Sequence, residues 1–534
     1  MALDDLSWAR IAFTSAIAAL VYGVMRLIQV RHSYKDLPKP PHSFLFGHLK
    51  LFGEMFGMLP NDTHYQVVVT TIAKKYNMPG IFYLDLWPVS WSHLVVIDPD
   101  VAMEFTVTRS HPKHEAVRRT TDPLIGKGNI ASAEGPHWKH LHKMMSPAFS
   151  ITNITEMRPI VATEVMKYRS ILQEKAKSGK VFRLEDLAHH LTFDIISRAA
   201  TGRSFDTQTK GSLALQHFEA MVRASMKSRE SFNYIGNFFA NRVRDRERRK
   251  LDALVAELIK ERFDFVKNSD LDLSQKRGLC IMDLMLRDYF QSTGENKRTE
   301  LDSEFLTNAI TQVKTLLIAG SGTTSDTVCF GHMLLSVHPE VVQKMREEHD
   351  HVFAPGIDAT YDLLKANPYK MNDLVYTIAV IKEILRFYPI GNTAREGMDT
   401  LTYQGQQWPS KGKMVCPVQL AMHMDPKHFE DPLKFDPERF IRQDYTRIAW
   451  RPFERGPRAC IGKTLAMDEL TLVFLLTARD FDFACADLKP NKTPRTEWNS
   501  LDLTFGDRAY QEFVFEASPR DGMPMIVKNS DWPS

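Results

Sequence analysis

Residues 453–462 read Phe-Glu-Arg-Gly-Pro-Arg-Ala-Cys-Ile-Gly and set one cysteine, Cys460, two positions after Arg458 and two before Gly462. Phe453 and Gly456 lead into it. A thiolate that ligates haem iron needs such surroundings: an apolar wall against water, a cation for the haem carboxylates, and small residues that let backbone N–H groups reach the sulfur. Arg458 can supply the cation, and Gly456 and Gly462 the close approach. The plain alternative is a free cysteine buried in a turn as a small hydrophobe.

Three other groupings could do chemistry. Glu383 and Arg386 lie three apart on one helix face and can pair, which on an exposed helix contributes only a few tenths of a kcal/mol. Ala319-Gly-Ser-Gly-Thr323-Thr puts two glycines in a helical stretch, at about 1 kcal/mol each relative to alanine. A threonine there otherwise bonds its own i−4 carbonyl. In Trp138-Lys-His-Leu-His142-Lys, a histidine one helical turn after a tryptophan can donate a hydrogen bond whose charge depends on pH.

The elements that must position these residues are mostly helical. Helical patterns cover Leu184–Thr201, Leu213–Met226, Asn241–Lys267, Phe305–Leu335, Pro339–His349, Met371–Phe387 and Ile461–Asp480, while much of the polar stretch 268–300 reads as loop. Ile81–Leu86 and His93–Ile97 suggest a hairpin, and Asp98-Pro99 a capped helix start. Strand-like pieces follow at Glu512–Glu516 and Met525–Val527. The chain of 534 residues carries a net charge of +3, so nothing marks it as nucleic-acid binding. The basic run Arg242–Lys250 holds Asp245 and Glu247 and no aromatic residue, as an exposed helix face does. Its five cysteines are widely spaced with no C-x-x-C pair, which argues against disulfide or zinc frameworks and fits a reducing compartment.

An apolar stretch from Trp8 to Val30, broken by Arg10 and Arg26, is just long enough to span a bilayer. Asp4 and Asp5 precede it, and Arg26, Arg31 and Lys35 follow, which sets the C-terminal side in the cytosol. The rival is a cleaved signal peptide, which the acidic start opposes. Leu37-Pro-Lys-Pro-Pro41 then reads as a stiff extended spacer. The expected organisation is an anchor helix over 1–34, a proline-rich hinge over 35–42 and a catalytic domain over 43–534.

The complete F-x-x-G-x-R-x-C-x-G pattern resembles the haem-binding loop of the cytochrome P-450 (haem-thiolate monooxygenase) family. E-x-x-R at Glu383 followed by Pro437-Glu-Arg439-Phe440 is similar to the family's order. The resemblance spans nearly the whole chain. It implies a mainly α fold with small β-sheets, with haem b between the long central helix and the cysteine loop, Cys460 its iron ligand. It also implies that Glu383, Arg386 and Arg439 form a buried network holding that loop. Thr323 would direct protons at a bulge of the central helix. Trp138, His142, Arg395 and Arg458 would meet the haem carboxylates, with His142 standing where the family has arginine. Phe453 and Gly462 complete the cofactor-binding set.

The chain departs from the pattern at Gly322, where the family places an acid before the threonine; Asp326, one turn on, is a partial substitute. Electrons would come from NADPH through a separate flavoprotein reductase, since the chain has no flavin domain or dinucleotide fingerprint. Lys139, Lys143, Arg447, Arg451 and Arg455 would steer that partner. Similarity to fungal microsomal members implies an endoplasmic-reticulum anchor, a cytosolic domain and a lipophilic secondary metabolite, polyketide- or terpenoid-derived, that is hydroxylated, epoxidised or desaturated. Its pocket would be lined by 117–131, 225–239 and 390–394, with Phe232, Tyr234, Phe238 and Phe239 as aromatic walls. Two alternatives stay open: a haem-thiolate isomerase, dehydratase or peroxide-dependent enzyme, and an inactive haem-binding scaffold.

Overall fold

The 33-residue helix Ser303–Leu335 is the spine of the molecule, buried on most sides from Ala309 to Leu335. The computed structural model describes residues 2–228, 233–269, 271–274, 278–293 and 301–533. About 60% of it is helical. The central helix packs along Leu184–Thr201 and against Lys463–Thr477, and one glycine makes each approach possible. A Cβ at Gly320 would lie 2.6 Å from the Ile196 side chain, and one at Gly331 would lie 2.8 Å from Phe474. The helix runs unbroken through Gly320 and Gly322, without the bulge the resemblance implied. Its glycines serve close packing, and Thr323 Oγ1 donates to the Ala319 carbonyl at 2.8 Å.

The helices Leu184–Thr201 and Leu213–Lys227 form within a residue of their expected bounds. The first ends at Gly202 in the left-handed conformation (φ 78°) that glycine favours. The longest helix starts earlier than expected, at Tyr234, and ends at Asn268. Two differences have local causes. Within 268–300, Ile281–Thr293 is helical because Ile281, Leu284, Met285 and Tyr289 bury one face. The expected helix from Met371 instead splits into a tight turn, Pro368–Asp373, and the helix Val375–Phe387. Ile151–Ser178 forms a 28-residue helix that an internal proline, Pro159, hides from the pattern.

Ile81–Asp85 and Ser92–Val96 pair as the expected hairpin, with Ile81 opposite Val96. Met414–Pro417 joins Ser92–Val96 in parallel and carries the edge strand Arg395–Glu396. That edge puts Arg395 beside Lys113, its bridge partner. A second sheet pairs Pro524–Asn529 with Phe481–Cys485 and Phe182–Arg183. Between them the short hairpin Glu512–Phe513/Ala517–Ser518 reaches over the central helix.

The N-terminal helix spans Ala2–His32, and Arg10–His32 is long and apolar enough to cross a membrane, with a mean hydropathy of 1.9. Its last turn is not free. Arg31, expected as a flanking interfacial charge, is 4% exposed. It pairs with Asp85 at 2.5 Å and donates to the carbonyls of Phe44, Leu45 and Trp87. The segment after it is docked too, with Tyr34 buried and His42 Nε2 2.9 Å from Asp85.

Candidate active site

The cysteine loop is shaped by one glycine and one carbonyl. Gly456 sits at φ +86°, and a side chain there would run into the Thr106 carbonyl oxygen. The loop closes with Cys460 N–H donating to Phe453 O at 2.9 Å. The sulfur opens onto two contiguous cavities of about 380 and 630 Å³ that share Leu316 and Ala319 of the central helix as a facing wall. Burial pushes the thiol up, against the pull of the Gly462 backbone N–H and the Lys113 and Lys463 charges. A metal ion that replaced the thiol proton, released to solvent, would balance the thiolate charge and offset that cost.

Glu383, Arg386 and Arg439 do come together. Arg386 grips Glu383 with two bonds of 2.8 Å, Arg439 Nε reaches the same carboxylate at 3.3 Å, and all three side chains are at most 2% exposed. The remaining guanidinium N–H groups donate to the carbonyls of His423, Glu430, Pro432 and Lys434. His423 then carries the network to the cysteine loop. Its Nδ1 lies 3.0 Å from Arg386 O, and its Nε2 accepts from Arg451 N–H at 3.1 Å. One tautomer, protonated on Nδ1, serves both contacts. Burial and the Arg386 charge hold its pKa down at about 3. Its membership rests on contacts with residues 37 and 28 positions away, which no local pattern shows.

Around the cavities, Arg395, Arg458 and Lys113 form a cationic wall. Arg395 is fully buried and spends Nη1 on His111 O, and its Nε and Nη2 have no partner among the described residues. Arg458 pairs through Nη1 with Glu134 at 3.1 Å, stacks over Trp138 at 4.5 Å and leaves Nη2 unmatched. Burial, with Arg395 adding to it, lowers Arg458 to about 10. Lys113 is lowered to about 7 by burial and by the two arginines. His142 lies against Trp138 with ring centroids 5.0 Å apart, and burial and Arg458 lower its pKa. It lines the cavity as a neutral ring. The third cation beside Arg395 and Arg458 is instead Lys113, which only the long-range pairing to Arg395 reveals. Buried guanidinium N–H groups short of acceptors, around a cavity that ends at a sulfur, fit a flat dicarboxylate macrocycle held by a thiolate.

Thr323 and Phe453 line the smaller cavity. The larger is lined by Val117, Ile130, Ala131, Phe513 and Phe515 and by the segment 390–394, as two of the expected stretches require. The third expectation is corrected. Tyr234, Phe238 and Phe239 line neither cavity and are more than half exposed, and Phe232 lies outside the described residues. Arg451 is corrected as well. It is fully buried, pairing with Glu454 and Thr106, so it cannot belong to an exposed cationic face. Arg455 is half-buried and donates to the Arg447 and Trp450 carbonyls.

Residues 38–508 match the family model described as Cytochrome P450. The chain is 31% identical to the cytochrome P450 monooxygenase polC of Polytolypa hystricis, over 96% of this chain and 93% of that one. It is 29% identical to the cytochrome P450 monooxygenase acrF of Aspergillus aculeatus, over 88% and 98%. Among solved structures it resembles the heme domain of cytochrome P450DA with a TM-score of 0.70, at 23% identity, covering 92% of this chain and 97% of that one.

Proposed function

The chain belongs to the cytochrome P450 family and is a monooxygenase, and we propose that it holds haem b on Cys460 and oxidises a lipophilic secondary metabolite. We further propose that an NADPH-dependent flavoprotein reductase supplies its electrons and that the N-terminal helix anchors it in the endoplasmic reticulum membrane, catalytic domain in the cytosol. The observation that carries this is the Cys460 sulfur opening onto a cavity whose buried cations lack acceptors.

Bound there, haem supplies the reductive activation of dioxygen, and a thiolate ligand favours O–O cleavage. The chain's own residues prepare the site. Backbone N–H groups of Gly462 and Lys463 aim at the sulfur and stabilise its negative charge. Arg395, Arg458 and Lys113 neutralise two carboxylates, with Trp138 and His142 packed beside them. Phe453 adds an apolar wall to the cavity that holds the sulfur. The Thr323 hydroxyl commits its hydrogen to Ala319 O, so its lone pairs face the cavity and can fix a water. Apolar walls from Val117, Ile130 and Phe515, with His64 and His93 held neutral by burial, suit a lipophilic substrate. A polyketide- or terpenoid-derived skeleton fits that lining and the fungal sources of the relatives. Lys139, Lys143 and Arg447 stay exposed to meet an acidic reductase.

The test compares metabolites by mass in the native host, with the gene intact, deleted, or carrying Cys460→Ala. Deletion and point variant should accumulate one precursor, lighter than the lost product by one oxygen or heavier by two hydrogens. A precursor isomeric with the product would overturn the oxidative assignment, and a profile unaffected by Cys460→Ala would overturn the role of the sulfur.

A further inference from the structure

Three carboxyl groups from three elements meet above the central helix at the position where its side chain is missing. Glu516, in the turn of the C-terminal hairpin, places Oε1 where a Cβ of Gly322 would stand, so a side chain at 322 would displace that carboxyl. Asp326, one turn along, is 2% exposed and accepts from Ser518 Oγ at 3.0 Å. Glu185, at the start of Leu184–Thr201, is 28% exposed and lies beside both, with Arg183, Asp186, His189 and Glu512 around it. No side-chain hydrogen bond or ion pair among the described residues satisfies Glu516, which lines the larger cavity.

We propose that Glu516, on the larger cavity, is the acid that feeds protons toward Thr323 on the contiguous smaller one, with Asp326 and Glu185 as its path to solvent. The proposal rests on the monooxygenase assignment. Packing alone does not account for Asp326 and Glu516, which have no cation partner among the described residues, whereas Glu185 pairs with Arg183 at 3.3 Å. Like charges so placed cannot all ionise, and burial together with Glu185 raises Glu516 to about 8 while burial and Glu516 raise Asp326. At neutral pH Glu516 is then largely a carboxylic acid. It breaks its O–H bond to give the proton to a water near Thr323, and the carboxylate left behind takes a proton back from Glu185 by way of Asp326. No electron moves among these groups.

The test uses the full-length holoenzyme with reductase and the precursor that accumulates in the Cys460→Ala strain. Glu516→Gln keeps the shape and removes the proton; Glu516→Asp keeps the acid. Infrared titration of the wild type should show a carboxylic C=O band at neutral pH, fading with a midpoint of about 8 and absent in Glu516→Gln. Glu516→Gln should slow product formation on the order of 10²-fold and divert NADPH electrons to peroxide, with Glu516→Asp partly restoring both. Equal coupling in wild type and Glu516→Gln, or no such band, would overturn the proposal. A wild type that consumes no NADPH would overturn the monooxygenase assignment and the proposal with it, a result the infrared titration does not depend on.

Discussion

At the scale of single residues, what the chain announces is what lies close together along it. Cys460, Arg458, Gly456 and Gly462 occupy seven consecutive positions, so their chemistry is legible in the sequence. Lys113, His423, Arg451 and Glu516 are not, because each acquires its environment from residues tens to hundreds of positions away. The Glu383 network shows the difference in energetic terms. The same pair that contributes tenths of a kcal/mol on a surface is here shut away from water and wired into three backbone carbonyls. Arg386→Ala strips Glu383 of its bidentate partner in a dry site. The expected loss is about 3–5 kcal/mol in denaturant unfolding, and the His423 carbonyl loses its Arg386 Nη1 donor while the His423 ring keeps its bond to the residue-386 backbone.

Among elements, the hydrophobic periodicity of most long helices is readable, some to within a residue of their ends, whereas the proline-interrupted Ile151–Ser178 and the short helices are not. Ile281–Thr293 shows why: polar flanks conceal a buried face that only its neighbours create. The glycines of the central helix carry a sharper lesson. Their cost in helix propensity is recovered as proximity to Leu184–Thr201 and to the C-terminal hairpin, not as a bend. Gly320→Ala should therefore lower stability by about 1–3 kcal/mol by overpacking Ile196. Adding Ile196→Val should recover part of it in a double-mutant cycle, since the two side chains compete for one space. Additive effects would show that the contact does not limit the packing.

For the whole molecule, buried ionisable groups set the pH range of stability. His48, His64, His93, His332, His349 and His423 are held by burial at about 3 to 4, far below their usual 6.5. A depressed histidine pKa means that the unfolded chain takes up protons the folded one refuses. Stability present above pH 6.5 is thus lost as pH falls, by up to about 1.4 kcal/mol per histidine per pH unit. Glu185, Asp326, Glu469 and Glu516, raised by burial, act in the opposite direction but are fewer. Melting temperature should accordingly fall from pH 6.5 toward pH 5, and a flat profile would show that these rings are hydrated. The buried Arg31 also has a practical consequence for anyone producing the enzyme without its apolar N-terminal helix. Trimming after residue 34, where the sequence suggests a natural cut, deletes the guanidinium that Asp85 and three carbonyls rely on. A version beginning near residue 26 should keep its fold and melt higher than one beginning at residue 35, by several kcal/mol of unfolding free energy. The last turn of that helix is thus a part of the folded body's stability, and the shorter clone is the poorer starting material.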